Sequence, residues 1–285
     1  EIYLTTKRIG LVSILLLFIL MIATACGNQP TASEAHSSNT KKIITIGFNA
    51  GPYEQMFKEG IVPILKKKGY TVHTKDFTDG IQVNVAVAKG QIDANIMQHP
   101  VFMRFVNQQE GIHNVGTVQV PGPPMGLYAG QTKSLRAVKD GDVIAVPNEA
   151  SNLYRGLVIL KNLGWIKLDP KTNPANTSLK NVISNPHHLV LKDMNNAQEV
   201  RALPDVNYAI IQGNFAVSSG LKLTSALKLE NLLNKFSVIV AVANTDKNAP
   251  WAKAIEEAYH SKSFQRYIKT HIQYNGYHLP DYFKR

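Results

Sequence analysis

The chain has 285 residues, 44% of them hydrophobic and 18% charged, which is an ordinary composition for a globular protein with room for a large core. Its net charge is +11, but the basic residues are scattered and lack the aromatic interleaving of a nucleic-acid groove, so we expect no nucleic-acid partner. The charge suits an anionic membrane or wall polymer, or is simply a basic surface. A single cysteine excludes an intrachain disulfide, so the fold depends on its core.

The first 25 residues have the pattern of an export signal. Lys7 and Arg8 precede an apolar run over residues 9–22, which is too short to favour a membrane-spanning helix. Small residues then lead to Cys26, an arrangement that resembles the lipobox of bacterial lipoproteins, although Ala23 stands where Leu is usual. The resemblance implies a signal peptide over residues 1–25 and lipidation of Cys26; a plain secretory signal with a chance cysteine is the alternative.

A polar segment rich in Ser and Thr follows the cysteine over residues 26–41. It cannot bury enough apolar surface to fold, so we predict a flexible tether between the membrane and the folded part.

From residue 42 the sequence alternates between short β-rich runs and segments with helical periodicity. The strands are predicted over residues 43–48, 70–77, 92–97, 115–120, 142–146, 189–191, 208–211 and 236–243. The helices are predicted over residues 53–68, 81–89, 100–110, 152–163, 195–203 and 250–272. This alternation predicts an α/β fold whose sheets are mixed and mostly parallel, with flanking helices.

Two segments suggest that the α/β units form two lobes. Residues 120–126 are the densest Pro/Gly stretch and predict a crossing out of the first lobe, and the β run at 236–243 returns the chain to it. We therefore predict one lobe from residues 42–122 plus 236–285 and another from residues 123–235. A ligand would bind in the cleft between them, at the strand ends.

Three short motifs point to a family. They are KGQIDANIMQH at residues 89–99, IAVPNEASNLYRGL at 144–157 and AIIQGNFA at 209–216. Each is weak alone, but in this order behind an export signal they resemble the methionine-binding lipoprotein (MetQ/NlpA) family of ABC importer substrate-binding proteins, over residues 42–285. The resemblance implies a two-lobed fold like that of periplasmic binding proteins and a lipid anchor on the extracytoplasmic face of the cell membrane. It also implies an amino-acid ligand, with L-methionine favoured, and permease and ATPase subunits as partners.

The second motif supplies a candidate for carboxylate recognition. Arg155 is expected in the first turn of a helix that begins near Ser151 or Asn152, where a guanidinium could hold the ligand carboxylate with two parallel hydrogen bonds. As a cleft residue, Arg155 is expected to support little of the core. Asn152 is the candidate N-cap of the helix, and the family resemblance also places it near the ligand. A solvated helix arginine is the alternative for Arg155.

The other two motifs supply the remaining candidates. His99 lies at a strand-to-helix turn, where cleft residues of α/β sheets are found, and Met97 lies on the same strand face and suits an apolar ligand side chain. Asn214, in the turn after the predicted strand at 208–211, could bind the ligand ammonium or carboxylate. Gln212 stands where the family has Asn. A surface turn histidine is the alternative for His99.

Departures from the family pattern leave the ligand open. Gly80 and residues 122–124 replace positions at which many members have Tyr, which suggests a thinner aromatic cradle and another amino acid or a short peptide as ligand. No Gly-x-Ser-x-Gly, His-Glu-x-x-His or Walker motif is found, so we expect neither an enzyme nor a cofactor. His187 and His188, together with His99, raise a metal site as a minor alternative, although adjacent histidines point apart. An adhesive surface lipoprotein is the other alternative.

Overall fold

A computed structural model describes residues 41–284 of the chain. The predictions for the signal peptide at residues 1–25, for Cys26 and for all but the last residue of the tether lie outside the described residues.

The first part of the described chain alternates between strands and helices as expected. It contains β1 (Ile43–Phe48), α1 (Tyr53–Gly60), α2 (Val62–Lys67), β2 (Thr71–Asp76), α3 (Gly80–Ala88), β3 (Ala94–Gln98), α4 (Pro100–Glu110) and β4 (Asn114–Gln119). The middle part contains β5 (Gly126–Ala129), β6 (Val143–Pro147), α5 (Ala150–Asn162), β7 (Lys167–Leu168), β8 (Val182–Ser184), β9 (Val190–Met194), α6 (Glu199–Ala202), β10 (Tyr208–Ile211), α7 (Gly213–Ser218) and β11 (Ala226–Leu229). The last part contains β12 (Ile239–Ala243), α8 (Pro250–His260) and α9 (Lys262–Thr270).

The strands form two five-stranded sheets. The first has the order β2-β1-β3-β12-β4, and only β12 runs against the direction of the other strands. The second has the order β11-β5-β10-β6-β9, and only β5 runs against the others. Strands β7 and β8 form a separate antiparallel pair. This confirms the predicted α/β fold with two mixed, mostly parallel sheets and flanking helices.

Each sheet buries its own hydrophobic core. Ile46 and Phe48 of the first sheet are fully buried with Phe57 of α1 and Ile255 of α8. In the second sheet, Ile144, Val146 and Ile210 pack in a separate cluster with Leu157 of α5. The two sheets thus have separate main cores, although Leu223, from the proposed second lobe, packs in the first one. The proposed division of the chain at residues 122 and 236 stays a prediction.

Several elements differ from the sequence prediction. The helix predicted over residues 53–68 is interrupted at Ile61, and α2 begins at Val62. Pro63, in the first turn of α2, has no backbone N–H with which to continue the hydrogen bonding of α1. The helix predicted over residues 250–272 is divided by Ser261, whose hydroxyl accepts the Phe264 amide and caps α9. The helix predicted over residues 195–203 is reduced to Glu199–Ala202, followed by a 3₁₀ turn that contains Pro204.

Candidate functional site

A cavity of about 250 Å³ lies where the strand-to-helix turns of the two sheets meet. Its walls come from the ends of β3, β6 and β10, from the crossing at residues 120–123 and from the segment 232–238. All six ligand-binding candidates from the sequence line it, namely Met97, His99, Asn152, Arg155, Gln212 and Asn214. The structure therefore brings the three motifs together at one site, while the role of each residue as a ligand contact stays a prediction.

The N-terminus of α5 differs from the expectation in register and in its cap. The capping residue is Glu149, whose carboxylate accepts the backbone amides of Ser151 and Asn152. Asn152 is therefore the third helical residue rather than the N-cap, and Arg155 is the sixth residue rather than a member of the first turn. The Glu149 carboxylate occupies the position at which an anion would meet this helix end.

Arg155 is paired within the protein. Its Nε donates to Glu230 Oε2 at 3.0 Å, its Nη2 donates to Glu230 Oε1, and its Nη1 donates to Asn152 Oδ1 at 3.0 Å. The side chains of Arg155 and Glu230 are only 8% and 7% exposed. Glu230 also accepts the backbone amide of Met125 at 2.6 Å. Arg155 is therefore part of a buried ion pair within the protein rather than a solvated helix residue, and its role as the clamp of a ligand carboxylate stays a prediction.

His99 and Asn152 connect the two sheets across the cavity. Nδ1 of His99 accepts the Phe102 amide at 3.1 Å, which caps α4 and assigns the ring proton to Nε2. Nε2 then donates to Asn152 Oδ1 at 3.2 Å. Burial, with the positive charge of Arg155 as the next cause, lowers the pKa of His99 to about 3. His99 is therefore a neutral donor at physiological pH.

Neighbouring side chains also approach the two glycines, Gly80 and Gly122, that line the cavity. A Cβ on Gly80 would lie 3.0 Å from Met97 Cε and 3.2 Å from the ring of Phe102. A Cβ on Gly122 would lie 3.1 Å from the hydroxyl of Tyr53. Neighbouring side chains thus lie close to both glycines, and the thinner aromatic cradle inferred from the sequence stays a prediction.

Gln212 and Asn214 follow β10 and line the cavity at the start of α7. Gln212 is the N-cap residue of α7, and its side chain makes no capping hydrogen bond. Asn214 donates from Nδ2 to the carbonyl oxygen of Ala50 at 2.9 Å. Because Ala50 follows β1 and Asn214 follows β10, this is a second hydrogen bond between the two sheets' loops, beside that of His99 and Asn152.

The family model described as NlpA lipoprotein matches residues 44–282. The chain belongs to the NlpA lipoprotein family. This confirms the resemblance inferred from the three motifs.

Relatives and solved structures of this family cover most of the chain. The methionine-binding lipoprotein MetQ of Bacillus subtilis is 31% identical over 96% of this chain and 98% of its own length. A nutrient-binding protein from Burkholderia cenocepacia, solved bound to methionine, is 32% identical with a TM-score of 0.77 and covers 82% of this chain and 98% of that one. A periplasmic substrate-binding protein of an ABC transporter from Coxiella burnetii is 31% identical with a TM-score of 0.77, over 83% of this chain and 100% of that one.

The motifs of the NlpA lipoprotein family do not include every residue that builds this site. Tyr53 lies in the wall beside Gly122, and burial is the main cause that raises the pKa of its hydroxyl and keeps it a neutral donor. Phe236 packs its ring 5.3 Å from that of His99 and 5.7 Å from the Arg155 guanidinium. Glu230, Phe236 and His278 are missed because no local pattern marks them; only the fold brings them to the motifs.

No cluster of possible metal ligands supports the metal-site alternative in the described part of this NlpA lipoprotein. His187 lies beside Asp140, with 3.6 Å between Nδ1 and Oδ1, away from the cavity wall. Over residues 41–284, no group of three or more His, Cys, Asp or Glu side chains is placed to hold a metal ion. Within the same residues, none of the helices has the length and apolarity needed to span a bilayer.

Proposed function

We propose that this chain is the lipid-anchored substrate-binding protein of an ABC amino-acid importer on the extracytoplasmic face of the membrane, with L-methionine as the first ligand to test. Membership of a lipoprotein family, a methionine-binding relative and a methionine-bound solved neighbour support a binding rather than a catalytic role. The name of the Coxiella burnetii protein supports the transporter context, in which a permease and an ATPase would be partners.

The observation that carries the proposal is a cavity lined by both polar and apolar side chains. Arg155, Asn152 and His99 are connected by hydrogen bonds and form what we call the polar end, and Met97 and Phe102 contribute apolar surface to the same cavity. An amino acid with an apolar side chain offers groups of both kinds. A thioether or aromatic wall suits a methionine side chain because sulfur and aromatic groups attract each other.

The polar end retains donors for a carboxylate although Arg155 is paired. A guanidinium has five N–H groups, and three of those of Arg155 are used by Glu230 and Asn152. The two that remain, on Nη1 and Nη2, would bind the ligand carboxylate. Both hydrogen bonds of the Asn152 side chain fall on Oδ1, so its amide nitrogen is a further donor. Oδ1 of Asn214 would accept from the ligand ammonium, since Nδ2 is held by Ala50.

Calorimetry on Arg155 and the ligand carboxylate tests the proposal. We expect the wild type to bind L-methionine and Arg155→Lys to bind at least about 30-fold more weakly, because an ammonium cannot replace the planar guanidinium edge. L-Methioninamide, which lacks the carboxylate charge, should bind the wild type weakly and lose little further affinity in the variant. Losses that simply add would place the carboxylate elsewhere.

A second ligand class is kept because the cavity does not select methionine by itself. Another amino acid or a short peptide would use the same polar end, and a thermal-shift panel of the twenty amino acids and selected dipeptides would distinguish them, since a ligand that binds the folded state raises the melting temperature. An adhesive lipoprotein would give no shift with any of them.

The anchor is tested by Cys26→Ala. A protein held by two acyl chains on Cys26 stays with membranes, whereas the variant should appear in the soluble extracytoplasmic fraction. Membrane retention of the variant would contradict lipidation at this cysteine.

A further inference from the structure

Three unpartnered buried polar atoms among the described residues belong to side chains that line the cavity. Eight such side-chain atoms occur in seven residues over residues 41–284, and three of these residues, Asn196, Ser237 and His278, line the cavity. A buried polar atom without a partner costs free energy, so a group of them at a binding cavity indicates that the ligand supplies partners there. His278 is the one with a titratable ring, and it lies far outside the three motifs.

The backbone of His278 is held independently of its side chain. Its amide donates to the carbonyl oxygen of Gly122 at 2.9 Å, and the Gly122 amide donates to the carbonyl oxygen of His278 at 3.2 Å. The preceding residue, Tyr277, is buried and packs edge-on against Tyr274, with the ring centroids 5.4 Å apart. Replacing the imidazole should therefore leave the backbone at His278 in its position beside Gly122.

The charges around His278 favour a neutral imidazole. Burial and then the ammonium of Lys284 lower the pKa of His278, while the carboxylates of Asp281 and Glu230 oppose the shift. His278 lines the same cavity as Arg155, the residue proposed to bind the ligand head group. A neutral imidazole has one N–H donor and one acceptor nitrogen.

We propose that His278 is a ligand-contact residue whose Nε2 hydrogen bonds with the polar head group of the bound amino acid. The assignment rests on the proposed amino-acid-binding function and adds a specificity-determining residue from the C-terminal segment. In the ligand-free protein, Nε2 of His278 is an unpaired polar nitrogen. An apolar ring of similar size should therefore weaken ligand binding without lowering the stability of the ligand-free protein.

The test compares His278→Phe with a matched variant of another unpartnered group. Tyr259 is fully buried in the first core, its hydroxyl has no partner, and it does not line the cavity. We expect both His278→Phe and Tyr259→Phe to melt at or above the wild-type temperature without ligand. In calorimetry with L-methionine, or with the amino acid that gives the largest thermal shift, His278→Phe should bind about 5- to 30-fold more weakly, while Tyr259→Phe should bind as the wild type does. His278→Gln, which keeps a donor and an acceptor, should retain part of the affinity.

Each outcome decides a separate claim. A wild type that binds the ligand, with His278→Phe binding within twofold of it, overturns the assignment of His278 and leaves the proposed function standing. A His278→Phe variant that is clearly less stable than Tyr259→Phe shows that the imidazole is partnered within the protein, which also overturns the assignment. A wild type that binds no amino acid removes the proposed function, and the role of His278 falls with it.

Discussion

Arg155 and Glu230 form an ion pair from which neither side chain can be removed without leaving a buried charge. The guanidinium supplies two of the hydrogen bonds to the carboxylate, and both side chains are more than nine-tenths buried. We therefore predict that Arg155→Ala lowers the free energy of unfolding by about 3–5 kcal/mol, as is typical when one partner of a buried pair is lost. Urea unfolding monitored by circular dichroism measures the change.

A second variant separates the unpaired charge from lost packing. Arg155→Ala combined with Glu230→Gln removes the orphaned carboxylate and should recover a substantial part of the loss. Glu256→Gln breaks the exposed Lys253–Glu256 pair on α8 and should change stability by less than about 1 kcal/mol, because solvent screens surface pairs. An Arg155→Ala variant as stable as Glu256→Gln would show that the buried pair contributes little.

His99 gives the protein a dependence of stability on pH. Its pKa of about 3 in the folded state lies below the ordinary value near 6.5, so between these values the unfolded chain binds the proton and the folded protein does not. Stability therefore falls as the pH is lowered from about 6.5 towards 3, by up to about 1.4 kcal/mol per pH unit from this group. His99→Asn keeps an N-cap for α4 and cannot titrate. The free energy of unfolding of the variant minus that of the wild type should therefore be about 2–3 kcal/mol larger at pH 4 than at pH 7. Parallel stability curves for the two proteins would contradict this.

The candidate residues that line the cavity lie at or near strand-to-helix turns, and their contacts with a ligand stay predictions. The turn after a parallel strand places side chains at one edge of the sheet, so residues such as His99 and Asn152 could be assigned to the cleft from local pattern. Glu230 could not, because its meaning comes from pairing with Arg155, 75 residues earlier in the chain. Without that contact, nothing in the local pattern indicated that Arg155 pairs with a carboxylate of the protein itself.

Among the elements, the strands with continuous apolar runs were the most predictable. Strands such as β1 and β10 are buried and rich in Ile, and their bounds lie close to the predicted ones. Strand β5 was missed because it follows directly on the Pro/Gly crossing and is defined by antiparallel pairing between β10 and β11. Helix α7 has only six residues, which is too short for a periodic pattern.

At the scale of elements, Gly213 sets how closely α7 approaches the crossing between the lobes. A Cβ at this position would lie 2.3 Å from the carbonyl oxygen of Pro123 and 2.5 Å from that of Pro124, and backbone atoms cannot turn aside as side chains do. We predict that Gly213→Ala costs about 1–3 kcal/mol and weakens ligand binding, because the crossing must move away from a cavity wall. Thermal unfolding and calorimetry measure the two effects.

The matched control for Gly213 is Gly156, which lies within α5. A Cβ there would meet side-chain atoms rather than backbone, namely those of Ile210 at 3.1 and 3.4 Å and Cδ of Pro147 at 3.6 Å. Alanine is also the better helix former, so Gly156→Ala should change stability by less than about 1 kcal/mol. Equal losses in the two variants would show that the approach of α7 to the crossing is not the limiting contact.

At the scale of the whole molecule, two cores are connected by narrow crossings and by few polar contacts over the cavity. The hydrogen bonds from His99 to Asn152 and from Asn214 to Ala50 pass from one sheet's loops to those of the other. Each contributes only about 0.5–1.5 kcal/mol net, while Leu223 and Val217, from the proposed second lobe, also pack against the first core and add to the cost of separation. A bound amino acid that contacts both walls adds interactions present only in the closed arrangement and shifts the population towards it.

We therefore predict that ligand makes the protein more compact, with hinges near residues 120–126 and 235–240. Small-angle scattering of the chain without its export signal should give a smaller radius of gyration at saturating ligand than without ligand. Arg155→Lys, measured at a ligand concentration that saturates only the wild type, should keep the ligand-free curve, which separates closure from a solvent effect of the amino acid. Identical wild-type curves at a saturation proven by calorimetry would contradict the hinge, because a ligand can shift an equilibrium only by its differential affinity for the two arrangements.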